Sequence, residues 1–280
     1  MITSYHLVVV FGLASAASWG AGDFMGGFLT RRMNAWKVLV ISFGASLVFL
    51  TVLALLTSEP LPSVTELSWG IAAGLSGTLA LAAYYRALAM GKMGIAAPVT
   101  GVLTASVPVL FGILTQGLPT LYQIVGFLLA LVGLWLISRR EGVVSGSRSL
   151  GFAVLAGLGF GGFLVLLAQA SKIAIFWPII AARGTGLTIL LIIVVASRGR
   201  FRGGRGGLAL MFLTGVLEVG GNAFFLLATQ AGRIDVASVL SSLYPAATII
   251  LAYLLLKERM TRTQGAGILA VLIAIVLIAA

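Results

Sequence analysis

Apolar residues in this chain fall in long, nearly unbroken runs, over 38–56, 67–85, 184–197, 208–232 and 263–280. A helix that crosses the hydrocarbon core needs about 20 such residues. Inside lipid, every backbone polar group must find its partner within the protein. A membrane barrel would instead show strands of about 10 residues with polar and apolar positions alternating. The runs here are solid, so the pattern predicts helices. Ten fit, at about 7–29, 37–57, 67–89, 94–115, 120–138, 150–170, 177–197, 208–230, 235–256 and 263–280. The breaks between them are short, which makes neighbouring helices antiparallel and closely packed. The pattern therefore predicts an all-α polytopic membrane protein.

The runs also repeat. Shifting the chain by 141 positions lays residues 12–137 on 153–278 without a gap. Trp19 and Gly20 then fall on Phe160 and Gly161, Trp36 on Trp177, Gly74 on Gly215, and Tyr84 on Phe225. Gly91 and Lys92 fall on Gly232 and Arg233, and Thr120, Gln123 and Gly126 on Thr261, Gln264 and Gly267. Leu and Ala coincide easily in apolar sequence; Trp, Gln and Gly followed by a base do so far less readily. The chain divides into 1–141 and 142–280, each with five spans. An odd number of spans inverts the second half, giving the inverted repeats found in secondary transporters.

Composition agrees and charge sets an orientation. The 280 residues are 60% hydrophobic and 9% charged, against about 25% charged in soluble domains. Of 18 Lys and Arg residues, fourteen lie in the loops after odd-numbered spans, two (Lys172 and Arg233) after even ones, and two (Arg86 and Arg183) within spans. Basic loops stay in the cytoplasm, which places the odd loops there and both termini outside, in a plasma (inner) membrane. The segment "SRGRFRGGRGG" at 197–207 looks like a nucleic-acid-binding tract, but the net charge of +11 is explained by these loops. No nucleic acid is expected. There are no cysteines, hence no disulfide or thiolate metal site.

Several spans carry residues that plain lipid contact does not explain. Glu218 sits ten residues into the eighth span, ~15 Å along a core ~30 Å thick, too deep to reach water easily. Asn222 shares its face one turn on. Asp23 lies ~9 Å from the inner end of the first span, and a carboxylate at that depth should face a cavity or a partner. Trp19 lies one turn before Asp23. Pro98, Pro108 and Pro245 mark kinks in spans 4 and 9, which are repeat counterparts. Ser241, Ser242 and Tyr244 stand beside the last of them. Tyr84 and Tyr85, with Phe224 and Phe225 at matched positions, offer an aromatic wall or simple packing. Arg183, ~9 Å into span 7, reaches the interface or takes a substrate carboxylate. Arg86 near the inner end of span 3 snorkels. Glycines at helical spacing, such as Gly22 with Gly26 and Gly157 with Gly161, let backbones approach.

Ten helices in two halves, "SWG" at 18–20, Pro245, Arg183 and the run "KERMTRTQGAGILA" at 257–270 resemble the drug/metabolite transporter superfamily of EamA type. The resemblance covers nearly the whole chain. It implies secondary transport of a small organic solute through a central cavity lined by spans 1–4 and 6–9, with spans 5 and 10 outside. The first half departs from the pattern: Gly117 and Leu118 stand where Glu258 and Arg259 stand in the second, Thr104 matches Pro245, and Ser42 matches Arg183. The resemblance would put both termini in the cytoplasm; the charge distribution puts them outside and is followed here.

The expected function is export of an amino acid or related metabolite by alternating access. A coupling proton and a homodimer are left open as partners beside the substrate and the bilayer. Sugar or drug transport, or a channel, are the alternatives. An enzyme is disfavoured: His6 is the single histidine, so no HExxH site or histidine triad exists in the membrane, and there is no P-loop. No catalytic residue, cofactor or metal is expected.

Overall fold

The computed structural model describes residues 4–30, 32–90, 93–138, 147–196, 207–257 and 261–279. Arg31, Lys92, Arg139, Arg140, Glu258, Arg259 and most of the basic tract at 197–207 lie outside the described residues. Among the described residues eleven helices run in order: α1 Ser4–Thr30, α2 Ala35–Leu56, α3 Val64–Met90, α4 Met93–Gln116, α5 Leu121–Ser138, α6 Ser147–Ala170, α7 Phe176–Ala196, α8 Leu208–Ala231, α9 Ile234–Ser241, α10 Tyr244–Leu256 and α11 Arg262–Ala279. Among the described residues nine stretches are long and apolar enough to span a membrane, with α9 and α10 together forming one of them; Leu121–Ile137 is a shorter tenth. The chain is an all-helical, multi-pass membrane protein.

Helix starts follow local chemistry. Thr120 and Gln123 form a capping box at α5, the Gln123 Oε1 accepting from the Thr120 N–H at 3.0 Å and the Thr120 hydroxyl accepting from the Gln123 N–H at 3.3 Å. Thr261 and Gln264 do the same at α11. The repeated Thr-x-x-Gln in the sequence is thus a pair of helix starts. Ser63 and Glu66 box the start of α3, and Asn34 caps α2. The α7 start is capped from the other half of the chain: the Glu59 carboxylate accepts from the N–H groups of Ile175 (2.6 Å), Phe176 (2.9 Å) and Trp177 (3.1 Å). An anion at a helix N-terminus also meets the positive end of its dipole.

Packing repeats with the sequence. Helix α3 lies on α6 as α8 lies on α1; α4 lies on α6 as α9 and α10 lie on α1; α3 meets α7 as α8 meets α2. Helix α2 meets its own counterpart α7, and α5 meets α11. A two-fold axis relates the halves and passes between these last two pairs. At α5 and α11 the symmetry extends to single residues. A Cβ on Gly126 would come within 2.7 Å of Ile278 and 3.1 Å of the Ala274 carbonyl; one on Gly267 would come within 2.8 Å of Ile137 and of the Gly133 carbonyl. Ile137 and Gly133 are the repeat counterparts of Ile278 and Ala274. Small residues bring these backbones together. Large apolar side chains such as Val48, Leu55, Leu79, Leu128, Val195 and Val276 point outward, more than 47% exposed, onto lipid.

The predicted ninth span is two helices. Between α9 and α10, Ser242 and Leu243 hold ψ near zero, and Pro245 has no N–H to offer the Ser241 carbonyl. Helix α4 instead runs unbroken through Pro98 and Pro108, so the kinks expected there do not interrupt the helix; in a membrane bundle neighbouring helices hold a proline-bearing helix together.

Candidate functional site

Helix α1 bears Ser15, Ser18, Trp19 and Gly22 on one stripe, and that stripe fits onto α8. The Ser15 hydroxyl donates to the Gly221 carbonyl (2.8 Å), Ser18 to Leu217 (2.7 Å), and the Trp19 indole N–H to Glu218 (3.1 Å). Gly221 allows this: a Cβ there would collide with the Trp19 ring. Gly22 faces the Glu218 carboxylate, with Oε1 2.8 Å from where a Cβ would sit. Three side chains thus grip the α8 backbone around Glu218 and fix its direction.

Glu218 meets Arg183. The Arg183 Nη2 lies 3.5 Å from the Glu218 Oε2, and its guanidinium lies 4.6 Å above the centre of the Phe43 ring on α2. The two side chains are only 12% and 28% exposed. Arg183 therefore turns inward rather than snorkelling, and the ion pair spans two helices that α2 holds on either side of it. Asp23 keeps exposed surface and lies within electrostatic reach of Glu218, Tyr84, Tyr85 and Tyr244. Arg183 pairs with Glu218, while Asp23 makes no ion pair among the described residues.

Aromatic rings frame this centre. Trp19 packs on Phe225 at 6.1 Å and edge-on to Tyr244 at 6.3 Å. Tyr84 packs edge-on to Phe160 at 6.3 Å. Trp19 with Phe225 and Phe160 with Tyr84 are the same pair in the two repeats, so the matched aromatics of the sequence are cross-repeat packing partners. Tyr84 and Tyr85 touch at 6.5 Å, with Tyr85 45% exposed. Phe224 is apart from the centre, stacked on Phe11.

The other candidates divide. Asn222 is buried (3%), one turn beyond Glu218, and among the described residues its amide has no hydrogen-bond partner. Ser241 and Ser242 are buried in the break between α9 and α10; Ser241 reaches the Gly12 carbonyl at 3.5 Å, and among the described residues the Ser242 hydroxyl has no partner. They belong to the α1–α9 contact and not to the charged centre. Sequence reasoning named Glu218 and Arg183 separately and missed their pairing; it named Ser18 only within the "SWG" motif and missed Ser15 and Phe43. The spacing Ser15, Ser18, Trp19, Gly22 was a legible signal, since four small or polar-capable residues at 0, 3, 4 and 7 mark one helix face.

Asp23, Gly27 and Tyr85 are exposed towards the ends of α1 and α3, and a Cβ on Gly27 would meet nothing within 4 Å. At the opposite end, polar contacts tie the helices together. Arg233 donates to the carbonyls of Gln116 (3.1 Å) and Gly117 (2.6 Å) at the end of α4 and pairs with the fully buried Asp235 at 2.6 Å. Gly117 takes the left-handed conformation (φ 81°) that ends a helix. Gln230 holds Ser171 at 3.0 Å, and Glu59 holds α7.

A model of the EamA-like transporter family matches residues 6–139 and again 147–280. A solved crystal structure shares the fold at a TM-score of 0.76 with 13% identity, covering 96% of this chain and 95% of the other. No curated protein matches the sequence.

Proposed function

Because the chain belongs to the EamA-like transporter family, and so is a membrane transporter of the drug/metabolite superfamily, we propose that it exports a small zwitterionic metabolite of the amino-acid class. One observation carries the reading: between the repeats, framed by aromatic rings, the Arg183 guanidinium pairs with Glu218 at 3.5 Å while Asp23 makes no ion pair among the described residues. The centre lacks one positive charge. A substrate ammonium supplies it beside Glu218 and Asp23, while the substrate carboxylate takes the Arg183 fork. Asn222 offers its unpaired amide, and Trp19, Tyr84, Tyr85 and Tyr244 enclose the side chain. A proton meets the same need as the ammonium, so proton and substrate compete for the carboxylates. That competition is the logic of exchange: the empty carrier returns with a proton where the loaded one carried the substrate.

The two-fold supports alternating access, since halves packed alike can rock about the centre. The charge distribution supports an inner membrane in which the exposed end, at the ends of α1 and α3, faces the cytoplasm. The division at residue 141 follows the repeat.

Counterflow into proteoliposomes tests this. Protein preloaded with unlabelled neutral amino acids should drive uptake of a labelled one with saturation, and an inward proton gradient should drive export. Saturable counterflow of a sugar or an uncharged drug in place of an amino acid would overturn the substrate class; unsaturable flux would make the protein a channel.

A further inference from the structure

Away from the centre, α3 and α6 form a groove on the lipid side. It has a volume of about 540 Å³ and is lined by Ser76, Leu79, Ala80, Ala83 and Arg86 of α3 with Phe152, Leu155 and Gly159 of α6, among others. Leu79 and Leu155 are 59% and 58% exposed, so the groove opens to the bilayer and not to the transport centre. Arg86 stands exposed at its end, one residue short of the end of the α3 span. The Ser149 hydroxyl, bonded to the Ala87 carbonyl at 2.8 Å, ties the start of α6 to that same end. Arg148 is next to it, exposed, and precedes Phe152 and Leu155 by four and seven residues on one helix face.

The repeat shows that this groove is a departure from the shared packing. Its two-fold counterpart lies between α8 and α1. There Phe224 occupies the position of Ala83, stacked on Phe11 at 6.5 Å, and Leu217 and Leu227 occupy the positions of Ser76 and Arg86. The counterpart is filled by the protein's own rings and carries no charge at its end. In the α3–α6 copy Ala83 takes the place of the Phe224 ring, Arg86 lines the end, and Arg148 stands on the α6 face that carries Phe152 and Leu155.

We propose that the α3–α6 groove holds an anionic glycerophospholipid of the bilayer, its acyl chain along Ala80, Ala83 and Leu155 and its phosphate between Arg86 and Arg148. An apolar slot with a cationic end, open to lipid, fits that molecule; a soluble metabolite would have no route to it except through the membrane. Arginine binds a phosphate through its planar fork, and each basic residue near a membrane surface favours an anionic headgroup roughly fivefold.

The test uses delipidated protein in detergent, titrated with phosphatidylglycerol or phosphatidylcholine of identical acyl chains and read by native mass spectrometry. Wild type should retain phosphatidylglycerol at least fivefold better. Arg86→Gln and Arg148→Gln should each lower that preference about fivefold, and Ala83→Phe should lower occupancy by both lipids. Should Ala83→Phe fail to fold, Ala83→Leu serves with the two arginine variants. Equal retention of the two lipids by wild type, unchanged occupancy in a folded Ala83 variant, or displacement by soluble glycerol 3-phosphate, which would mark a free-anion site, each overturns the proposal.

Discussion

Glu218→Gln keeps the shape of the side chain and withdraws one charge from the Arg183 guanidinium 3.5 Å away. Two unit charges at that distance attract by about 1 kcal/mol in bulk water and about 5 kcal/mol at an effective protein dielectric. Partial exposure of both side chains, 12% and 28%, places the pair between these limits, and a coupling of about 2 to 3 kcal/mol is expected. A single variant overstates it, because an Arg left alone in the membrane is itself destabilising, and Arg183→Gln also loses its seat on Phe43. A double-mutant cycle removes both complications. Wild type, Glu218→Gln, Arg183→Gln and the double variant would be unfolded reversibly in mixed micelles, with counterflow measured on the same preparations. The double variant should be more stable than the sum of the singles implies, and all three variants should lose transport. Additivity of the singles within about 0.5 kcal/mol, together with wild-type transport by Glu218→Gln, would refute the reasoning.

Gly22→Ala places a methyl 2.8 Å from the Glu218 Oε1; the carboxylate swings away, so stability should fall by only about 1 kcal/mol while transport falls steeply, measured as melting temperature against counterflow. Gly221→Ala, which collides with the Trp19 ring, should be the more destabilising of the two in the same melts. Glu59→Gln weakens the anionic cap of α7 and should lower stability by about 1 to 2 kcal/mol, with little change in substrate affinity. The chain has no cysteine, so single cysteines report cleanly: Leu61→Cys should react with an impermeant maleimide on intact cells and Arg32→Cys should not, and the opposite pattern would reverse the orientation.

The spans, the repeat and the inversion were legible because lipid imposes the same demand on every residue of a span, and because a gapless duplication keeps its register. The helix starts were legible too, though the Thr-x-x-Gln repeat read as a signature before the capping boxes gave it a reason. The break at Ser242 and Leu243 was signalled by Pro245, while Pro98 and Pro108 gave the same signal and α4 stayed whole. Proline states that one hydrogen bond is missing; the neighbouring helices decide whether the helix parts. The centre was half legible. Glu218, Arg183 and Asp23 each stood out as charges inside spans, but their meeting depends on which helices become neighbours. Helices α7 and α8 are consecutive, yet α2 lies against both, and Phe43 carries no local mark of the cation it supports. Ser241 and Ser242 looked equally suited to a cavity, and only the close approach of α1 shows that they pack.

The contact between α5 and α11 bears on ancestry. A contact lying on a two-fold axis is built from one surface used twice. Gly126 meets Ile278 as Gly267 meets Ile137, so a lone five-helix chain with this surface could hold an upside-down copy of itself there. Such a progenitor would insert in both directions, and fusion of two genes would freeze one molecule of each. Elsewhere the two copies differ. Where α8 places Glu218 over Gly22, α3 and α6 make the matching contact with the sizes exchanged, Gly77 lying under Phe163. One half holds a plain apolar contact at the position where the other half holds a charge.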